Sequence, residues 1–269
     1  NTSASLNVTL TYEQKGSGTI IPGGDTVNMG GQDVELVTTG DGLYEDEYES
    51  GRYIYKGTNP NNYITFSGET WRIISVENDG TIKIMRNESI GNRAWDSSDS
   101  NNWTRPATLN TYLNEEYLPT LSDSDKVVSH DFSIGAVTSD NNDLANQIND
   151  EKGTTWNGKV GLITVSDYLR ANTNTEQCGT FSLNNDNEST CLLTDWMCNT
   201  IPSGRSIATI SPNAGLSDYI FAVGSLSSAS SLAVSNVSNV YLGVVPVLYL
   251  TSDITLTGTG TSDDPFQIA

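Results

Sequence analysis

Apolar residues recur at every second position in short blocks along most of this chain, and helical spacing is confined to a few segments. Residues 1–12, NTSASLNVTLTY, set Leu6, Val8, Leu10 and Tyr12 against Asn7, Thr9 and Thr11, the pattern of a strand with one apolar face. Glycines punctuate the next 20 residues and separate short predicted strands at 19–21 and 34–38. Segment 51–90 reads as a meander. Strands are predicted over 52–56, 63–66, 70–76 and 81–85, with tight turns at Ser67-Gly68 and Asn78-Asp79-Gly80. Trp71, Ile73, Ile82 and Ile84 are its expected core.

Helical spacing appears at Leu109, Leu113 and Tyr117, with Thr108 as the expected cap, and a second short helix is expected over 122–128. SHDFSIGAV returns to strand, and DNNDLANQINDEKG reads as an acidic excursion. KVGLITVSDYLRAN predicts a buried strand entering a helix capped by Ser166. The closing TLTGTGTSDDPFQI predicts an edge strand with a Gly-rich turn. Residues 206–250 stand apart. They run through short segments of small, hydroxyl and apolar residues, interrupted by Asp218, and end in the dense apolar block 244–250. The whole predicts one mixed α+β domain of many short strands and a few short helices, with no βαβ repetition and no internal period.

Composition narrows the partners. The 269 residues carry 13 Lys and Arg against 33 Asp and Glu, a formal charge of −20. Phosphate backbones need clustered cations, so nucleic acid is not expected, and an anionic membrane surface is disfavoured by the same repulsion. No run of 18 apolar residues is present. Asn1 is expected to follow a removed signal or anchor segment, the one route to a membrane. The acidic run 41–50 is read as a turn and linker. Asp41, Glu45, Asp46, Glu47 and Glu49 do not follow calcium-loop spacing, so no metal is expected there.

The three cysteines lie close together. Cys178 and Cys191 flank GTFSLNNDNEST, and a disulfide closing that polar loop would contribute roughly 3 kcal/mol. Cys198 is then the odd one. Zinc is disfavoured, because no CxxC pair is present and the only histidine, His130, is remote in sequence. His130 beside Asp131 lacks a GxSxG partner, Cys198 lacks a basic neighbour, and no phosphate loop occurs. Asp195, next to Trp196, is the carboxylate nearest to an apolar setting. Trp95, Trp103, Trp156 and Trp196 are read as core before sugar platforms. No enzyme chemistry and no cofactor are expected.

Several stretches together resemble a group of secreted or surface proteins of Gram-positive gut bacteria. They are SASLNVTLTYEQKG, GRYIYKGTNPNNYITFSGETWRIISVENDGTIKIMRNESI, NTYLNEEYL, NGKVGLITVSDYLRAN, the cysteine pair before TDWM, the TISP corner and PVLYLTSDITLTGTGTSDDPF. The resemblance implies a C-type-lectin-like domain, the fold also used by formylglycine-generating enzymes, over 51–269. It is preceded by an N-terminal strand and linker region over 1–50. Relatives carry a Trp pair where Ile207 and Ala208 stand and Arg where Val245 stands. The resemblance also implies a variable face over 206–245, like those that retroelements diversify.

In a strand, alternate positions can vary while the other set holds the core. Phe221, Val223, Val247 and Leu248 are the expected core set. The expected displayed set is Ser206, Ile207, Ala208, Asn213, Leu216, Asp218, Ala222, Gly224, Leu226, Asn236, Asn239, Tyr241 and Val245. Two functions follow as expectations. One is an extracellular, surface-displayed recognition module, adhesin-like, that binds a protein or glycan on another surface through this face. The other is a structural subunit of an extracellular filament. There Leu6, Val8, Leu10 and Tyr12 would add a strand to another copy of the chain, although pairing within their own domain is the favoured reading of that strand.

Overall fold

The structure is a computed structural model that describes residues 24–138, 143–179, 191, 194–201, 205–224 and 232–269. Strand-adding residues Leu6, Val8, Leu10 and Tyr12 and the displayed Leu226 lie outside the described residues.

An antiparallel hairpin, β1 (Thr26–Met29) and β2 (Gln32–Glu35), comes first, and Gln32 ties it down by donating to the Leu256 carbonyl. The predicted meander follows as β3 (Gly42–Glu45), β4 (Tyr53–Lys56), β5 (Tyr63–Phe66), β6 (Glu69–Val76) and β7 (Ile82–Arg86). The β5–β6 hairpin closes over Ser67 and Gly68, whose φ angles of 52° and 74° are the left-handed pair of a two-residue turn. Trp71, Ile73, Ile82 and Ile84 are all fully buried, as their alternation predicts. Burial in β6 does not alternate, however. Every residue from Trp71 to Val76 is buried, because both faces of this sheet are covered.

Three expectations on the helices need correction. α1 (Thr108–Thr111) runs into a π-helical turn over Tyr112–Tyr117, with Leu109, Leu113 and Tyr117 buried. Thr108 is not its cap: the Asp96 carboxylate accepts from the Thr108 backbone N–H and hydroxyl instead. The short helix expected over 122–128 is a 3₁₀ turn, Ser124–Lys126, followed by β8 (Val127–Val128) and β9 (His130–Ser133). The acidic excursion is largely a helix, α2 (Leu144–Lys152), whose first N–H groups donate to Asp143. Leu144, Gln147, Ile148 and Glu151 are its buried side.

β10 (Thr155–Gly158) pairs with β9, and β11 (Val160–Gly161) leads into α3 (Val165–Arg170). Thr164, not Ser166, caps α3. Its hydroxyl accepts from Asp167 N–H while the Asp167 carboxylate accepts from Thr164 N–H, a reciprocal capping box. α4 (Thr175–Cys178) and α5 (Trp196–Thr200) follow. The expected disulfide joins Cys178 to Cys191 across 13 positions, and Cys198 is free and buried.

The C-terminal part supplies β12 (Ser206–Pro212), β13 (Tyr219–Gly224), β14 (Leu232–Asn236), β15 (Val247–Leu250), β16 (Leu256–Thr257) and β17 (Phe266–Ile268). Among the described residues, a ten-stranded sheet runs β11-β15-β7-β6-β5-β17-β16, with β3 and β4 reached through β6 and β8 added on β15. β12, β13 and β14 make a separate three-stranded sheet in that order. The closing strand β17 is interior, held between β5 and β16, so the edge falls to β16. The architecture is mixed α+β, mostly strands with few short helices.

Residues 41–50 are not a solvated linker. β3 pairs with β4 in the main sheet, and Asp46 is 3 % exposed because two arginines neutralise it there.

Candidate functional site

The C-terminal face departs most from the sequence pattern. β13 is the central strand of its sheet, and β12 also carries the segment around Gly243 on its outer side, where Ala208 N–H donates to the Gly243 carbonyl. On their other side these strands meet the core: Trp95 Nε1 donates to the Thr209 carbonyl and Ile210 N–H to the Ile163 carbonyl. Both parities of β12 and β13 are buried. Ile207, Ala208, Asn213, Ala222, Gly224 and Val245, expected as displayed, are buried. Alternation separates core from display only where one face meets water, and here none does. Phe221, Val223, Val247 and Leu248 are buried as expected.

What remains outside is narrower. Ser206, Asp218, Asn236 and Asn239 are half-buried, Leu216 is 46 % exposed and Tyr241 is 76 % exposed. Val234 and Val240, which the alternation argument left out, are exposed beside them in sequence. These four apolar side chains, with Tyr48, are the large hydrophobic residues exposed among the described residues. Asn236 donates to the Asp218 carboxylate, and the Asn239 side chain donates to Ser235, so the polar members brace this surface. Leu216 is held from below, where Asn101 donates to the carbonyls of Asn213, Leu216 and Tyr219.

Two clusters of buried charge lie elsewhere, and no sequence argument singled out either. In the first, Asp46, Glu49, Glu77 and Asp167 meet Arg52, Lys83, Lys152 and Arg170 around a small cavity of about 110 Å³. Arg52 reaches Asp46 at 2.6 Å and Glu77 at 3.0 Å, Lys83 reaches Asp167 at 2.6 Å, and Arg170 reaches Asp46 at 2.8 Å and Glu49 at 2.7 Å. Burial pushes the Glu49 carboxyl up, but Arg170 and Arg52 outweigh it and hold it at about 2. Burial likewise opposes ionisation of Asp167, and Lys83, Arg52 and Arg170 overcome it, so its carboxyl sits well below the usual range. Glu151, buried on α2 beside this set, is pushed upward by desolvation although Ser166 N–H and the Ser211 hydroxyl donate to it. Opposite charges are matched here, and the cluster staples β3, β4, α2 and α3 together.

His130 borders this cavity. Its ring stacks on Tyr249 at 3.8 Å, and its Nε2 lies 3.6 Å from Asp79. Among the described residues, no serine hydroxyl contacts it. Asp195, the carboxylate flagged by its apolar neighbour, caps α5 by accepting from Met197 N–H. Desolvation raises its pKa to about 8 against the pull of backbone N–H groups of Met197 and Cys198. The Cys198 thiol is pushed well above its ordinary value by burial and then by Asp195, which is the opposite of an activated thiolate. No group of three or more metal-ligating side chains occurs among the described residues.

The second cluster surrounds Arg72 on β6. Its guanidinium lies 3.7 Å over the Tyr63 ring and 4.9 Å from the Trp196 ring. Nε donates to Asn62 at 2.6 Å and Nη2 to the Pro60 carbonyl at 3.2 Å. No carboxylate pairs with it among the described residues. Desolvation lowers its pKa to about 10, with Tyr63 acting the other way. Arg72 forms part of the wall of a cleft of about 540 Å³ with Tyr63, Asn59, Asn87, Asn199 and Thr200. Sequence carried a signal for both clusters: Arg72, Lys83 and Arg170 are cations set inside apolar strands or a helix, and Arg52 directly precedes β4. Reading those strands only for their apolar residues passed over them.

No protein-family model, curated protein or solved structure matches this chain. Among the described residues, no helix is long and apolar enough to cross a membrane. The Cys178–Cys191 disulfide fits an oxidising environment.

Proposed function

We propose that this protein is an extracellular, surface-displayed recognition module of C-type-lectin-like type, and that it binds a protein on another surface through the outer part of residues 206–245. The carrying observation is that Leu216, Val234, Val240 and Tyr241, all within residues 216–241, are four of the five large apolar side chains exposed among the described residues, Tyr48 being the fifth. Exposed apolar groups rimmed by polar ones mark interaction surfaces, and a tyrosine with a buriable ring and a polar tip is a frequent anchor there. Three aliphatic side chains beside it favour a protein ligand over a glycan. The short-stranded α+β architecture, the disulfide and the Asn- and Ser-rich surroundings support extracellular display.

The test is surface plasmon resonance of the purified protein against a panel of extracellular proteins. A Tyr241→Ala/Val240→Ser variant should bind any hit at least about tenfold more weakly. Equal binding by wild type and variant would remove the reading.

The filament reading keeps one specific support. β14 is the last strand of its sheet, with no further strand on its outer side among the described residues, and Ala233 and Val234 are exposed along it. A strand with the Leu6, Val8, Leu10 and Tyr12 pattern from another copy could extend that sheet. Light scattering of the whole chain and of a chain lacking residues 1–15 checks this. Identical monomer masses for both would discard strand addition.

A further inference from the structure

The cleft beside Arg72 lies apart from the surface proposed for a protein ligand and has its own chemistry. Arg72 is 3 % exposed, yet no carboxylate neutralises it among the described residues. Among the described residues every other strongly buried cation is paired: Arg52 with Asp46 and Glu77, Lys56 with Glu47, Lys83 with Asp167, Arg170 with Asp46 and Glu49. Keeping a charge out of water without a counter-ion is costly, and such a group is retained where something else supplies the opposite charge. Two of its nitrogens are used, Nε on Asn62 and Nη2 on Pro60, while Nη1 takes no acceptor among the described residues. The rings of Tyr63 and Trp196 fix the guanidinium plane, so its remaining donors point along a set direction.

The rest of the wall says what carries the anion. Asn59, Asn87 and Asn199 present amides: Asn59 Oδ1 accepts from the Tyr63 hydroxyl and Asn199 Nδ2 donates to the Thr58 carbonyl, while the Asn87 side chain takes no partner among the described residues. Amides donate and accept at adjacent atoms, which matches neighbouring hydroxyls of a sugar ring. Tyr63 supplies one aromatic ring, and Glu88, exposed at the rim, supplies an acceptor where hydroxyls would lie. A wall dominated by amides and hydroxyls gives little to an apolar acid. A cleft of about 540 Å³ is within the range of small-molecule sites. Since the chain carries a net charge of −20, an anion gains here only from a local, desolvated cation.

We infer that this cleft binds an acidic sugar, its carboxylate on the Nη edge of Arg72 and its hydroxyls on Asn59, Asn87 and Asn199. The ring of Trp196, in contact range of the guanidinium, gives a fluorescence reporter.

The experiment titrates the wild-type protein with methyl β-glucuronide, methyl β-glucoside and acetate, following tryptophan fluorescence and calorimetric heat. The glucuronide should bind at least about tenfold more tightly than either the glucoside, which lacks the carboxylate, or acetate, which lacks the ring. Asn87→Ala, a half-buried position whose side chain bonds to no described residue, should weaken the glucuronide about threefold or more without altering the melting temperature. Arg72→Lys should weaken it about tenfold, because an ammonium does not offer the planar fork. Comparable affinity for glucuronide and glucoside would overturn the inference. Comparable affinity for glucuronide and acetate would reduce the site to a simple anion hole and overturn it too. So would absence of glucuronide binding at 50-fold excess over about 1 mM. The three-ligand comparison needs no variant, so it stands even if Arg72→Lys fails to fold.

Discussion

Arg52 and Arg170 in one cluster and Arg72 in the other are buried to nearly the same depth, yet their surroundings differ in kind. Arg52 and Arg170 share Asp46, Glu49 and Asp167, and Arg52 also reaches Glu77. Arg72 has an amide, a carbonyl and two aromatic rings. The first arrangement closes its own charge balance and fastens four elements. The second leaves a directed cation at the wall of a cleft. The Arg52 and Arg170 cluster is structural, and the absence of a carboxylate beside Arg72 among the described residues is what the inferred anion would make good.

The largest expected effect tests the first half of that contrast. Arg170→Met removes two charged hydrogen bonds, leaving Asp46 to Arg52 and Glu49 to Lys152, and should cost about 3 kcal/mol of unfolding free energy. Arg72→Met leaves no carboxylate behind and should cost only about 1–2 kcal/mol, from the lost ring contact and hydrogen bonds. Urea denaturation of both measures the ratio, and equal losses would erase the distinction. The same cluster sets the acid limit. Glu49 has a folded pKa of about 2 against an ordinary 4.5, so its contribution is complete above 4.5 and is lost as pH falls through 2. Melting temperature followed from pH 5 to pH 2 should fall less steeply in Arg170→Met than in wild type.

Asp195 is the acidic counterpart of Arg72, a buried carboxyl with no cation paired to it among the described residues, at the start of the helix that lines the same cleft. Its folded pKa of about 8 exceeds its ordinary 3.8, so the sign is reversed. Stability from this group is present below 3.8 and is lost as pH rises through 8. Asn keeps the cap without the charge, so Asp195→Asn should gain on the order of 2 kcal/mol at pH 8 and much less at pH 4, read by thermal unfolding at both. The smallest expected effect belongs to the display surface. Tyr241→Ala should change stability by less than about 0.5 kcal/mol, because the side chain is mostly in water, while it weakens binding of a protein ligand.

Local features were the most legible in the sequence. The meander of residues 51–90 follows from alternation bounded by Ser67-Gly68 and Asn78-Asp79-Gly80, and the Cys178–Cys191 bridge from two cysteines around a polar loop. The α3 cap was readable as Thr164 with Asp167 three residues on, but Ser166 stood nearer the expected helix and drew the assignment. Display at Ile207, Ala208, Ala222 and Val245 was not legible, because it depends on whether the second face of β12 and β13 meets water. The structure buries both parities there, a tertiary outcome that alternation along one strand does not report. The pairing of Arg170 with Asp46 across 124 residues, and the absence of such a partner for Arg72, are likewise long-range facts. Only the presence of a cation between Trp71 and Ile73 was visible beforehand.

Nitrogen-15 NMR of the arginine guanidinium groups, recorded before and after addition of methyl β-glucuronide, tests the contrast most directly. The account predicts that the Arg72 side-chain resonances shift and their exchange with water slows, while those of Arg52 and Arg170 stay unchanged. Unmoved Arg72 resonances at saturating ligand, or equal shifts at all three arginines, would contradict it.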